Sequence, residues 1–183
     1  NLLLMIINQV LEMARIESGK TVLNKQAVNL REVVQSLNTV FEPEIKEKSL
    51  RYQSLVDIEH EHVLCDRTKL EEIVLNIVSN AIKYTEAGGS ICLTLKEQAD
   101  AGANKAAYEL TVEDTGIGMD EETRRMAFER FHQAERSRSD KGSGLGLSIA
   151  KEILQKMDVA IRLESQLGQG SEFSFVINEK EKA

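Results

Sequence analysis

The sequence predicts an α/β domain preceded by a helix fragment. Stretches such as 90–97 and 108–114 alternate apolar and polar residues as half-buried strands do, whereas 70–85 repeats its apolar residues at helical spacing. The first seventeen residues are apolar on most sides, which suits a helix packed against other helices. A chain of 183 residues, 42% hydrophobic and 29% charged, is enough for one globular domain of ordinary size with a short appendage.

In chain order, Leu4, Ile7, Leu11 and Ala14 make one seam of the first helix, which stops at Glu17-Ser-Gly-Lys20 with Gly19 as its C′ residue. Its apolar, uncapped start reads as part of something longer, and the seam predicts burial in a helical bundle or dimer. Thr21–Val28 is a short strand candidate. Asn29 can cap a helix over Leu30–Lys48, whose core line is Val33, Val34, Leu37, Val40, Phe41 and Ile45, with Pro43 leaving a kink or an early end open. Leu50–Ile58 and Val63–Cys65 read as strands separated by a charged turn at Glu59–Glu61.

Leu70–Thr85 is the strongest helix, capped by Asp66 and closed by Gly88-Gly89. Asn76 and Asn80 lie one turn apart on it, with Lys83 and Tyr84 a turn further on. Asparagine is a poor helix former because its amide competes with the backbone. The pair is either a solvated edge or a set of amide oxygens for a hard cation, with a lysine for phosphate oxygens. The helix alone does not decide between them.

In the strand that follows, Ser90–Glu97, Ile91, Leu93 and Leu95 share a face; in Tyr108–Asp114 the inward residues are Tyr108, Leu110 and Val112, and the same parity turns Asp114 inward. A carboxylate there must find donors. Gly116 and Gly118 by themselves require no more than a tight turn, but the inward Asp114 beside them suits a ligand with an N–H donor, such as an adenine amino group. Asp120–Asp140 is polar and charged, with Phe128 and Phe131 spaced to anchor a short helix, and reads as a lid over about 120–141. Gly142-Ser-Gly-Leu-Gly-Leu147 runs directly into a helix at Ser148–Met157, an arrangement suited to an anion. It matches neither a Walker loop nor a dinucleotide fingerprint. Val159–Ser165 and Ser171–Ile177 form an alternating hairpin with Ile161, Leu163, Phe173, Phe175 and Ser171 inward.

A net charge of −7 and a pI of about 5.1 argue against a nucleic-acid or anionic-membrane surface. Cys65 and Cys92 read as core residues of a reduced, cytoplasmic protein; no apolar run reaches membrane-spanning length and no signal peptide is visible. His60, His62 and His132 read as surface residues.

Together these stretches resemble the ATP-binding catalytic domain of bacterial sensor histidine kinases, within the ATPase superfamily shared with gyrase, MutL and the ninety-kilodalton heat-shock chaperones. Asn76-Ile-Val-Ser-Asn80-Ala-Ile-Lys-Tyr looks like the N box, Asp114-Thr-Gly-Ile-Gly118 the first glycine box, Phe128-Glu-Arg-Phe-His-Gln133 the F box and Gly142–Leu147 the second glycine box. Leu11–Lys20 is similar to the end of the second helix of the dimerisation and phosphotransfer domain. The resemblance implies a two-layer α/β sandwich, a mixed sheet covered on one face by helices, over 20–183, with 1–19 belonging to that other domain.

The resemblance also implies roles. Asp114 would accept from the adenine amino group, directly and through water with Ser171 nearby. Asn80, assisted by Asn76, would ligate Mg²⁺, and Lys83 would contact phosphate. Tyr84, Gly116, Ile117 and Gly118 would lie around the nucleoside, while Gly144, Leu145, Gly146 and Leu147 would present backbone N–H groups to the phosphates. Arg130 and Gln133 would reach the γ-phosphate from the lid. The reaction implied is transfer of the γ-phosphoryl group of ATP to a histidine on the phosphoacceptor helix of the same kinase dimer, and then to a response regulator receiver domain. The whole protein would be a membrane-tethered homodimer with this part in the cytoplasm.

The chain departs from the pattern at Asp158-Val159, where relatives usually have Gly-Gly, and at Gln133, where many have Arg; it carries no phosphoacceptor motif. Hydrolytic relatives would keep a Glu at the position of Asn76, which favours transfer, although Glu72 one turn earlier leaves the base question open. A superfamily ATPase or ATP-gated clamp and a catalytically silent nucleotide-binding module are the rival readings.

Overall fold

The computed structural model describes residues 2–99, 106–132 and 143–178. They form α1 (Leu2–Glu17), β1 (Gln26–Asn29), α2 (Leu30–Glu47), β2 (Arg51–Asp57), β3 (His62–Cys65), α3 (Arg67–Tyr84), β4 (Ser90–Ala99), β5 (Ala106–Asp114), α4 (Glu121–Met126), α5 (Gly146–Lys156), β6 (Ile161–Gln166) and β7 (Gly170–Asn178). Five strands make one mixed sheet in the order β2-β4-β5-β7-β6, with β2 and β4 parallel and the other pairs antiparallel. β1 and β3 make a separate antiparallel pair. Helix α3 packs against both α2 and α5, and the three share one core with the apolar face of the sheet.

The register explains how the sheet positions a site. Leu95, Leu110, Phe175 and Ile161 stand side by side across four strands, and Leu93, Val112, Phe173 and Leu163 form the next row. The following row on the same face is Ile91, Asp114, Ser171 and Ser165. Period-two alternation therefore carries the apolar face to its end and changes its chemistry there. The outer face is polar and includes an ion pair between Arg162 and Glu109.

Local chemistry sets the helix ends. Asn29 ends β1 and caps α2, its Oδ1 accepting from the N–H groups of Arg31 and Glu32 at 2.9 and 3.1 Å. Asp66 caps α3 by accepting from the Lys69 N–H at 3.0 Å, so the helix starts at Arg67, ahead of its apolar periodicity. Lys48 closes the other end of α3: its Nζ donates to the carbonyls of Ile82 and Lys83 at 2.6 and 2.8 Å.

Several expectations are corrected. The first strand is only Gln26–Asn29, α2 runs through Pro43 without ending, and Val40 faces solvent. Outside these corrections, α1 packs on α5 and buries Met13 and Ile16, while in the single chain its seam residues Leu4, Ile7 and Leu11 are 59%, 44% and 51% exposed. The short helix lies upstream of the phenylalanines, at Glu121–Met126, because Asp120 caps it through the Thr123 N–H at 2.8 Å. Cys65 is buried, which pushes its thiol up to about 11, but Cys92 is half-buried on the outer face near Thr94. Asp158 takes the left-handed turn after α5 itself, at φ +57°, so the turn closes without the Gly-Gly pair; aspartate tolerates that region better than most residues.

Candidate functional site

The site begins where the sheet turns polar. Asp114 is 6% exposed, and its Oδ1 accepts from the Gly116 N–H at 2.9 Å. Burial pushes its carboxyl above the ordinary range, while the N–H groups of Gly116 and Ser171 pull it back. Gly116 has no room for a side chain: a Cβ there would sit 2.4 Å from the Tyr84 carbonyl and 2.9 Å from Asp114 Oδ1. Gly118 is left-handed at φ +66°, and a Cβ there would lie 1.9 Å from the Gln166 carbonyl. β7 likewise comes so close that a Cβ on Gly170 would meet the Asp114 carbonyl at 1.9 Å.

Asp114 and Ser171 lie in the wall of a cavity of about 530 Å³, mouth included, with Ile117, Gly118, Met119 and Thr123 around it. The side chain of Ser171 is 2.8 Å from that of Ser165. A second cleft of about 1060 Å³ shares Asn80, Tyr84, His132 and Leu147 with the first and adds Asn76, Ser79, Lys83, Ser143, Gly144 and Gly146. The two spaces form one elongated site, with a buried carboxylate at one end and amides, an ammonium and a glycine loop at the other.

At the second end, Asn76 Nδ2 donates to the Glu72 carbonyl at 2.9 Å, leaving its Oδ1 facing Gly146, where a Cβ would lie 3.1 Å away. The Lys83 ammonium lies 5.0 Å from the centre of the Tyr84 ring. The glycine loop is held by its own serine: Ser143 Oγ accepts from the Leu145 N–H at 3.2 Å and donates to Gln9 of α1. α5 then starts at Gly146, two residues earlier than its periodicity suggested, with no side chain capping it, so its first N–H groups are free for an anion. Gly144, at φ +69°, takes the Phe131 backbone against its Cα; a Cβ would come within 2.8 Å of it.

The structure thus brings together Asn76, Asn80, Lys83, Tyr84, Asp114, Gly116, Ile117, Gly118, Gly144, Gly146, Leu147 and Ser171, whereas Leu145 is buried behind the loop with its N–H given to Ser143 Oγ. Arg130 instead pairs with Glu17 at the end of α1. Gln133 lies outside the described residues, as does the second part of the lid, from 133 to 141. His132, read from the sequence as a surface residue, lines both parts of the site. Met5 and Gln9 of α1 also wall the second cleft, and Lys48 fixes the helix end that carries Lys83 and Tyr84. No signal in the sequence links these residues to the site, because each arrives through tertiary packing.

Residues 65–181 match the family of histidine kinase-, DNA gyrase B- and HSP90-like ATPases. The chain belongs to this family. Sensor protein GacS of Pseudomonas syringae pv. syringae is 38% identical over 174 residues, which are 93% of this chain and 19% of GacS. Full-length ShkA in complex with AMPPNP superposes with a TM-score of 0.83 at 31% identity, over 99% of this chain and 37% of ShkA. Histidine kinase ThkA, solved with the response regulator protein TrrA, gives 0.73 at 26% identity over 97% of this chain and 47% of that one. The chain spans about a fifth of GacS, and its fold is that of histidine kinase catalytic ATPase domains.

Proposed function

We propose that this domain binds Mg-ATP and transfers the γ-phosphoryl group to a histidine of a phosphotransfer domain, in a two-component pathway. The observation that carries the reading is the pairing, in one elongated site, of a buried carboxylate suited to an exocyclic amine with an uncapped helix start and a lysine suited to phosphates.

Asp114 would select the base, with Tyr84 and Ile117 lying against the nucleoside. The N–H groups of Gly144, Gly146 and Leu147, with Lys83, would neutralise phosphate charge, the Leu145 N–H being held by Ser143, so this chain contributes chiefly positioning and electrostatics. Asn80 and Asn76 fit a hard cation: the Asn76 amide nitrogen is already engaged, leaving the oxygen toward the glycine loop, and among the described residues no His, Cys, Asp or Glu cluster competes for a metal. The Asn80 and Asn76 amide oxygens would hold Mg²⁺, which would supply charge neutralisation at the phosphates. Arg130 and Gln133 are assigned to the γ-phosphate on the resemblance, which requires Arg130 to leave Glu17.

Residues 1–19 fit the end of a phosphotransfer helix, and the exposed seam of α1 fits its packing in a homodimeric bundle. The next partner would be a response regulator receiver domain, of the class to which TrrA belongs. The whole protein is proposed to be membrane-tethered with this domain in the cytoplasm; among the described residues no helix is long and apolar enough to cross a membrane.

The test is incubation with γ-labelled ATP of a chain extended N-terminally by a helix bearing the acceptor histidine. Acid-labile, alkali-stable label on that histidine is expected, and its loss in Asn80→Ala. Release of free phosphate without protein labelling, abolished by Glu72→Gln, would replace this reading with a hydrolase.

A further inference from the structure

His132 is placed in the site at evident conformational expense. The preceding residue, Phe131, is left-handed at φ +58°, a region that bulky residues rarely occupy, and it is 66% exposed. Phe128 fixes the segment from one side, meeting Phe173 edge-on at 6.1 Å between ring centres. Gly144 fixes it from the other, since only a residue without Cβ admits the Phe131 backbone. A backbone held in an unfavourable region by its surroundings on both sides is the kind of strain found at functional sites.

What this geometry achieves is to turn the imidazole inward. His132 Nε2 is closed off from solvent and has no hydrogen-bond partner among the described residues. Only one other side-chain polar atom described shares that condition, Thr85 Oγ1, and it lies beside Gly116 near the base end. An unpaired ring nitrogen is destabilising, so its retention calls for a partner that the chain itself does not supply. His132 stands in the shared wall of the two parts of the site, alongside Asn80, Tyr84 and Leu147. On the nucleotide reading proposed above, that wall is where the sugar gives way to the phosphates.

We infer that His132 is a nucleotide-contacting residue whose Nε2 meets an oxygen at the ribose–phosphate junction of the bound nucleotide. The inference rests on that reading of the site. A ring N–H can donate to a phosphate oxygen or a ribose hydroxyl, and either would satisfy the nitrogen.

The test compares wild type, His132→Phe and His132→Gln by calorimetric titration with adenosine, AMP and Mg-ADP, and by thermal unfolding without nucleotide. His132→Phe keeps a ring of similar bulk but removes the unpaired nitrogen, so its unfolding midpoint should stay level or rise while its ADP affinity falls on the order of tenfold. His132→Gln, which retains a donor, should recover much of that affinity. Opposite signs for stability and affinity would not arise from a purely structural role. Weakening confined to AMP and ADP assigns the contact to phosphate, and weakening of adenosine as well assigns it to the ribose. Wild-type ADP affinity in His132→Phe overturns this inference alone, whereas a wild type that binds no adenine nucleotide overturns the functional reading with it.

Discussion

Asp114→Asn isolates the contribution of one charge without changing shape. In the wild type, Oδ1 accepts from the Gly116 N–H at 2.9 Å, and the carboxylate faces the cavity as an acceptor-only group. An asparagine must place its NH₂ either against the Gly116 N–H or toward the ligand. Either orientation sets donor against donor when the ligand presents an exocyclic amine. Losing a hydrogen bond to a charged acceptor is worth about 1.5–3 kcal/mol, roughly tenfold to over a hundredfold in affinity. Titration with ATP and ITP is the discriminating assay, because inosine carries a carbonyl where adenine carries its amine. Wild type should prefer ATP strongly, and Asp114→Asn should lose most of that preference through weaker ATP binding. The same ATP-to-ITP ratio in both proteins would refute the placement of adenine at Asp114.

The substitution also has a stability signature with a definite sign. Burial raises the Asp114 carboxyl above its ordinary 3.8, so the folded state binds more protons than the unfolded one across that window. Its contribution is therefore most favourable below the unfolded value and is lost as pH rises through the folded one. Asp114→Asn does not titrate. The difference in unfolding midpoint should shift in favour of the variant as pH rises above the ordinary carboxylate value; a difference independent of pH would remove this account of the carboxylate.

Two further substitutions probe the frame around the site. Lys48→Met should cost about 1–2 kcal/mol in denaturant unfolding and weaken ADP binding, because α3 loses the ammonium that caps the Ile82 and Lys83 carbonyls beside Tyr84; unaltered affinity would show that this helix end is held by packing alone. Gly170→Ala combines φ +105° with a Cβ only 1.9 Å from the Asp114 carbonyl, and should cost at least about 2 kcal/mol together with most nucleotide affinity. Gly168→Ala, with φ +80° and no neighbour within 4 Å, is its control at about 1 kcal/mol and near-normal binding.

The fold was legible where periodicity and caps agree. Asn29 and Asp66 announce their helices because a short polar side chain before an apolar repeat has few other uses, and the parity of β5 places Asp114 inward without any knowledge of its neighbours. The strand order was not legible, since alternation marks a buried face but does not choose the strand beside it. The clustering of Asn76, Asn80 and the glycine loop was suggested by residue type. His132 was missed because its inward turn depends on a left-handed Phe131 held against Gly144, a contact without a local signal. The seam of α1 was identified correctly as apolar, yet the chain packs on itself through Met13 and Ile16, and periodicity cannot say which of two apolar stripes meets which neighbour.

The choice between transfer and hydrolysis turns on where the carboxylates are. A general base must reach the proton it removes, directly or through one water. At Asn76, facing the glycine loop, the side chain is an amide and its nitrogen is tied to the Glu72 carbonyl. Glu72 has one property of a base, since burial raises its proton affinity, but its carboxylate is drawn to Lys69 at 3.0 Å, and Lys69 also binds Glu12 of α1. It faces the groove between α1 and α3, among Leu4, Asn8 and Glu12, whereas the phosphate-side cleft is lined by Asn76, Asn80, Lys83 and the glycine loop, with Glu44 of α2 as the carboxylate among its lining residues. Water activation would require this ion-paired cluster to break and the side chain to swing across. A neutral imidazole arriving from outside needs no such base, because its ring nitrogen carries its own lone pair. Met5 and Gln9 of α1 also line that cleft, so a group carried on a helix packed beside α1 would approach the phosphate end directly. The geometry therefore favours a domain that hands its phosphoryl group to a neighbouring helix over one that spends it on water.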